Sequence, residues 1–131
     1  MAASGREPIR SYRDFEVWQL SMDLSERCYR ETARFPKDEM YGLTSQIRRA
    51  SVSIPANIAE GYGRETTGSF VQFLRVSQGS LKELETLIML ASRVGHLASE
   101  VSTSLQETCE RVSKMLRNLI RSLQARTDRS A

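Results

Sequence analysis

An all-α fold, an antiparallel up-down-up-down four-helix bundle, follows from three features of the 131-residue sequence. Apolar residues recur at three- and four-residue spacing in four long segments, and no segment alternates with the period of two expected of a half-buried strand. The connections between these segments are short and carry Pro or Gly, and short connections force neighbouring helices to run antiparallel. The length suits one domain with its own core. That domain is expected over 11–126, with residues 1–10 and 127–131 as disordered tails.

Helix one is expected from about Tyr12 to Arg34. Ser11 and Asp14 have the spacing of a capping box. Phe15, Trp18, Met22, Ser25, Tyr29 and Thr32 follow one another at helical spacing, with Val17, Leu24 and Cys28 beside them. Phe35-Pro36 ends the helix, because the residue before a proline avoids the helical region. Trp18, Tyr12 and Phe15 could anchor a partner; their positions favour the core instead.

Helix two is expected from near Asp38 to Gly61-Tyr62-Gly63, whose glycines offer a left-handed cap. On a helical wheel Leu43, Ile47, Ala50, Ile54 and Ile58 form the apolar arc. Gln46, Arg49, Ser53, Asn57 and Glu60 form a second arc directly beside it. That polar row is expected at the shoulder of the core, against a neighbouring helix or another subunit. Arg49 and Glu60 each need a partner from another helix there, with Glu83 and Glu85 as candidates for Arg49. Pro55 removes one helical hydrogen bond, frees the Ser51 carbonyl and is expected to kink the helix. Small residues around it (Ala50, Ser51, Ser53, Ala56, Ala59) permit close approach of another helix. A register-fixing network and a ligand site both fit this pattern; the network is the simpler.

Helix three starts near Thr67 or Ser69 and runs to Val94, with Gly95 as its stop. Its stripe is Phe70, Phe73 or Leu74, Ser77, Leu81, Leu84, Ile88 and Ala91. Helix four covers about Ala98 to Ala125, with Val101, Leu105, Thr108 or Cys109, Val112, Leu116, Leu119 and Leu123 as its stripe.

The strings FEVWQLSMDL, FPKDEMYGLTSQIRRASVSIPANIAEGYGR and FVQFLRVSQGSLKELETLIMLASRVG resemble the four-helix-bundle family of 23S rRNA intervening-sequence proteins, over about Tyr12 to Leu123. The resemblance implies a ring-like homo-oligomer, a pentamer, of antiparallel four-helix bundles. Members of that family are encoded within intervening sequences of bacterial large-subunit rRNA genes and also as free-standing genes. A related branch is the accessory variability protein of diversity-generating retroelements, which binds nucleic acid and a reverse transcriptase. The resemblance supplies no catalytic residues.

The residues themselves offer little for catalysis. His96 is the single histidine and sits beside Gly95, where a loop or helix-cap role is expected; alone it cannot build a histidine metal site. Gly63 to Gly68 has the glycine spacing of a phosphate loop, but Ser69-Phe70 follows where Lys-Ser/Thr is required. No Glu-x-x-His pair occurs, so the di-iron bundle pattern fails. Cys28 and Cys109 lack CxxC spacing and read as buried thiols of a reducing compartment. No apolar run is long enough to span a bilayer, and the first ten residues lack the apolar segment of a secretory signal. A cytoplasmic, non-enzymatic protein with no cofactor, no metal and no membrane partner is expected.

The net charge is +3, and its distribution is uneven: from Arg111 onward Asp128 is the one acid. Arg111, Lys114, Arg117 and Arg121 form a stripe opposite the apolar residues of helix four. Read plainly, it is a solvated face suited to the negative end of a helix dipole. Read functionally, it is a nucleic-acid-binding surface for RNA or DNA backbones, multiplied around an oligomer. No aromatic residue interleaves with it, so base stacking is not indicated. A purely structural protein–protein scaffold is the alternative.

Overall fold

The computed structural model describes residues 8–130. It is an antiparallel four-helix bundle of α1 (Glu16–Thr32), α2 (Leu43–Tyr62), α3 (Thr67–Arg93) and α4 (Ser99–Ser130). Each helix packs on its neighbours in sequence, and α1 closes the ring against α4. The core is a column of Leu, Ile and Val side chains from all four helices, among them Leu24, Ile54, Leu81 and Leu116. Among the described residues no strand forms, and no helix is long and apolar enough to cross a membrane.

The Ser11–Asp14 capping box forms, but it caps a separate 3₁₀ turn (Tyr12–Asp14) instead of α1. Ser11 N–H donates to Asp14 Oδ2 at 3.1 Å, and Arg13 N–H donates to Ser11 Oγ at 3.2 Å. Phe15 is extended and breaks the chain between turn and helix. It carries its ring into an aromatic cluster, 5.4 Å from Tyr62 and 6.1 Å from Phe70. Trp18 packs half-buried against the core with Tyr12 on its edge.

The buried stripe of α1 is rotated from the expected one. Val17, Ser21, Leu24, Ser25, Cys28 and Thr32 face inward, while Met22 and Tyr29 are exposed. Three of the inward residues are hydroxyls whose protons are satisfied locally. Ser21 Oγ donates to Val17 O at 2.6 Å, and Thr32 Oγ1 donates to Cys28 O at 2.7 Å. A small residue with a satisfied hydroxyl lets helices approach closely, so polarity alone misplaces the face.

The Phe35-Pro36 stop holds, but α2 begins at Leu43, after a 3₁₀ turn over Lys37–Glu39. At its other end neither glycine adopts a left-handed cap: Gly63 has φ −77°, and Gly95 alone among the described glycines has positive φ, 86°. Gly61 is instead buried inside the helix, because a Cβ there would lie 2.6 Å from Phe73 Cβ. Its role is contact between α2 and α3.

Thr66 caps α3 by accepting from Ser69 N–H at 3.1 Å, so the Gly63–Gly68 stretch is a loop into a capped helix. α3 ends in a Schellman motif at Gly95: Gly95 N–H donates to Ser92 O at 3.1 Å and His96 N–H to Ala91 O at 2.9 Å. The last helix does not stop at Ala125. α4 continues through Ser130, so 127–130 are helical instead of a tail; no Gly or Pro follows Leu97 to end it. Of the expected N-terminal tail, residues 1–7 lie outside the described residues.

Candidate functional site

Three groups of residues bear on function: the seam around Pro55, the polar row of α2 and the outer face of α4.

α2 is continuous through Pro55, which is buried. A proline has no N–H, so the carbonyl four residues earlier loses its helical donor. That carbonyl is Ser51 O, and Ser25 Oγ of α1 lies 2.8 Å from it. Ser25 Oγ also lies 3.0 Å from Ser21 O, so one proton serves both. From the opposite side Ser77 Oγ of α3 donates to Ile54 O at 2.9 Å. The middle of α2 is therefore fastened to both neighbours by buried serines.

The polar row divides in two. Ser53 and Asn57 are half-buried and joined: Asn57 Nδ2 donates to Ser53 O at 2.8 Å and to Ser53 Oγ at 3.0 Å. Ser53 Oγ lies 2.8 Å from Ser80 Oγ of α3, so these two residues do meet a neighbouring helix. Gln46, Arg49 and Glu60 are exposed. Glu60 pairs with Arg64 at 3.3 Å and needs no partner from another helix. Arg49 makes no ion pair with Glu83 or Glu85; Glu85 is taken by Lys82 at 3.2 Å. The arginine that bridges helices is Arg48. It donates to Thr32 Oγ1 of α1 at 2.9 Å and stacks 4.7 Å from the Tyr29 ring centroid. Adjacent arginines differ by 100° on a helix, enough to swap a seam for solvent.

On the α3 side of this row the exposed surface carries Val76, Leu90 and Val94, and Tyr41 in the α1–α2 connection is 91% exposed.

Arg111, Lys114, Arg117 and Arg121 are all exposed on α4. None makes a side-chain hydrogen bond or ion pair among the described residues. Lys114 and Arg117 line a shallow groove of about 540 Å³ between α3 and α4, with Lys82 on its far wall and Glu85, Glu107 and Glu110 toward its acidic end. Such a surface holds four exposed cations on one helix and carries no aromatic residue among them. It can neutralise phosphates; it cannot stack bases.

His96 is not isolated. Its Nε2 lies 3.0 Å from Glu39 Oε2, and its ring centroid is 5.5 Å from that of Phe35. Glu39 Oε1 accepts Leu43 N–H at 3.1 Å, at the first turn of α2. The Leu43 amide and then His96 hold the Glu39 carboxyl below its usual value of 4.5. Sequence spacing gave no sign of this contact, because 57 residues separate the partners. Cys28 and Cys109 are both buried free thiols, each pushed up to about 12 chiefly by burial. Among the described residues no group of three or more His, Cys, Asp or Glu side chains could hold a metal ion.

A family model described as 23S rRNA-intervening sequence protein matches residues 13–118. A solved structure from Bacteroides thetaiotaomicron VPI-5482, described as a protein with unknown function from the S23 ribosomal protein family, is 22% identical. The similarity covers 80% of this chain and 95% of that one, with a TM-score of 0.75, and shows a shared fold. No curated protein matches.

Proposed function

The chain belongs to the 23S rRNA-intervening sequence protein family, and on that footing we propose that it is a non-enzymatic, homo-oligomeric bundle that binds nucleic acid through the outer face of α4. The observation that carries this reading is the set of four exposed cations, Arg111, Lys114, Arg117 and Arg121, with no partner among the described residues. All four lie on one exposed helix, from Arg111 to Arg121, where their charges act together on a polyanion.

The contact is to the phosphate backbone, directed by shape and charge and not by base sequence. RNA is the favoured polyanion, since the family takes its name from an rRNA intervening sequence. The resemblance to the accessory variability protein of retroelements points the same way, and a ribonucleoprotein would offer the same phosphates. Oligomerisation, as a pentamer or another closed ring, places copies of the stripe around one axis and raises avidity. The row Gln46, Arg49, Ser53, Asn57, Glu60 and the exposed Val76, Leu90 and Val94 beside it supply the subunit contact. A cytoplasmic location agrees with two free thiols.

A mobility shift with duplex RNA and duplex DNA tests the reading. Binding by the natural protein and loss of the shift in Arg117→Glu/Arg121→Glu are expected. No shift with either duplex at low salt would leave the scaffold reading in its place.

A further inference from the structure

The outer face of α4 is self-complementary. At 100° per residue Thr103, Glu107, Glu110, Lys114, Arg117 and Arg121 fall within an arc of about 80°. All six residues are exposed. The acids precede the bases along the helix. Among the described residues neither Glu107 nor Glu110 makes an ion pair, although Lys114 stands one turn from Glu110.

We propose that this face docks against the same face of a second copy of the chain, antiparallel, about a twofold axis at the level of Val112. In that alignment Glu110 stands opposite Lys114 of the second copy, and Glu107 opposite Arg117 of the second copy. The twofold axis repeats both pairs, giving four contacts of opposite sign over about 15 Å of helix on each copy. A parallel alignment would set Glu against Glu and Arg against Arg. The antiparallel one also opposes the two helix dipoles favourably. The contact is isologous, as a twofold interface must be. It carries no apolar residue, so it is weak, charge-driven and dispersed by salt.

This contact is separate from any assembly through α2 and α3. It also has a regulatory consequence, which rests on the nucleic-acid reading while the docking itself does not. Docked, Lys114 and Arg117 are occupied by the second copy's carboxylates. A polyanion must displace those carboxylates, so self-docking and phosphate binding exclude one another at these two positions.

Charge-swapped variants of the full chain test the docking in the absence of nucleic acid. One variant, Lys114→Glu/Arg117→Glu, makes all four docking positions (107, 110, 114 and 117) acidic. The other, Glu107→Arg/Glu110→Lys, makes all four basic. Sedimentation equilibrium at about 0.05 M and about 1 M salt reads the association. The natural chain is expected to show a rise in mass at low salt, above that of the assembly made through α2, which high salt removes. Each variant alone is expected to lose at least tenfold in that association constant, and an equimolar mixture to regain it. Assembly through α2 is common to all samples and cancels, and circular dichroism confirms that the exposed substitutions leave helicity intact. A natural chain with no salt-sensitive step, a variant that associates undiminished, or a mixture that fails to recover would each overturn the proposal. Loss of RNA binding with docking intact would count against the nucleic-acid reading alone.

Discussion

Ser25 Oγ on α1 lies 2.8 Å from the carbonyl oxygen of Ser51 on α2, the acceptor that Pro55 deprives of its helical donor. The proline and the serine therefore form one device. A buried carbonyl without a donor costs about 1–3 kcal/mol. Here the missing N–H is replaced from another helix, which fixes the register of α1 against α2.

Ser25→Ala is expected to destabilise the fold by about 1–3 kcal/mol, since it leaves Ser51 O unpaired. Adding Pro55→Ala restores an N–H four residues on, so the same Ser25→Ala change should then be nearly neutral. Urea denaturation of the two single variants and the double variant measures the coupling. Additive effects would disconnect the two residues.

Two glycines in helices should respond oppositely to alanine. At Gly61 the new Cβ would meet Phe73 Cβ at 2.6 Å and Phe70 Cδ1 at 3.0 Å, and the first of these cannot swing away. Overpacking of this kind costs about 1–3 kcal/mol. At Gly79 a Cβ meets nothing within 4 Å, so alanine should stabilise by roughly 0.5–1 kcal/mol through helix propensity. Thermal melts of Gly61→Ala and Gly79→Ala check both signs.

These glycines mark what the sequence discloses and what it hides. Four helices, the capping box, a third-helix start near Thr67 or Ser69 and the Gly95 stop are written in local spacing, and each formed. Gly61 looks like a helix end from sequence because the reason for it, the Phe73 side chain on α3, appears only after packing. The face of α1 was misplaced for a related reason: Ser21 and Ser25 count as polar until their protons are seen to be satisfied within the seam. The exposed cations of α4 were legible, since a stripe opposite a core stripe needs only the helical repeat. The pairing of Glu39 with His96 was not, because it joins two loops.

The Glu39 carboxyl titrates below 4.5, held down first by the Leu43 N–H and then by His96. A lowered acid contributes stability that is present above the unfolded value and is lost as pH falls through the folded one. Glu39→Gln should lower the melting temperature at neutral pH, and the difference from the natural chain should shrink below about pH 4. A gap that persists in acid would assign the effect to packing alone.

The thiols act at the other end of the scale. Cys28 and Cys109 are raised from 9.0 to about 12, mainly by burial. A raised thiol contributes stability that is present below the unfolded value and is lost as pH climbs above it, because the unfolded chain ionises first. Stability should therefore decline above about pH 9 and less so in Cys28→Ala/Cys109→Ala. Alkylation of the folded protein at pH 8 should be slow and should follow its unfolding rate. Rapid labelling of either thiol would show that the core admits reagent.

The most direct test of the α4 face is the salt dependence of duplex RNA binding. If four cations per protomer neutralise phosphates, log K falls against log salt with a slope of about −3 to −4 for each protomer bound. Arg117→Glu/Arg121→Glu should at least halve that slope. A flat dependence in the natural chain, or a slope that the double reversal leaves unchanged, would contradict the account.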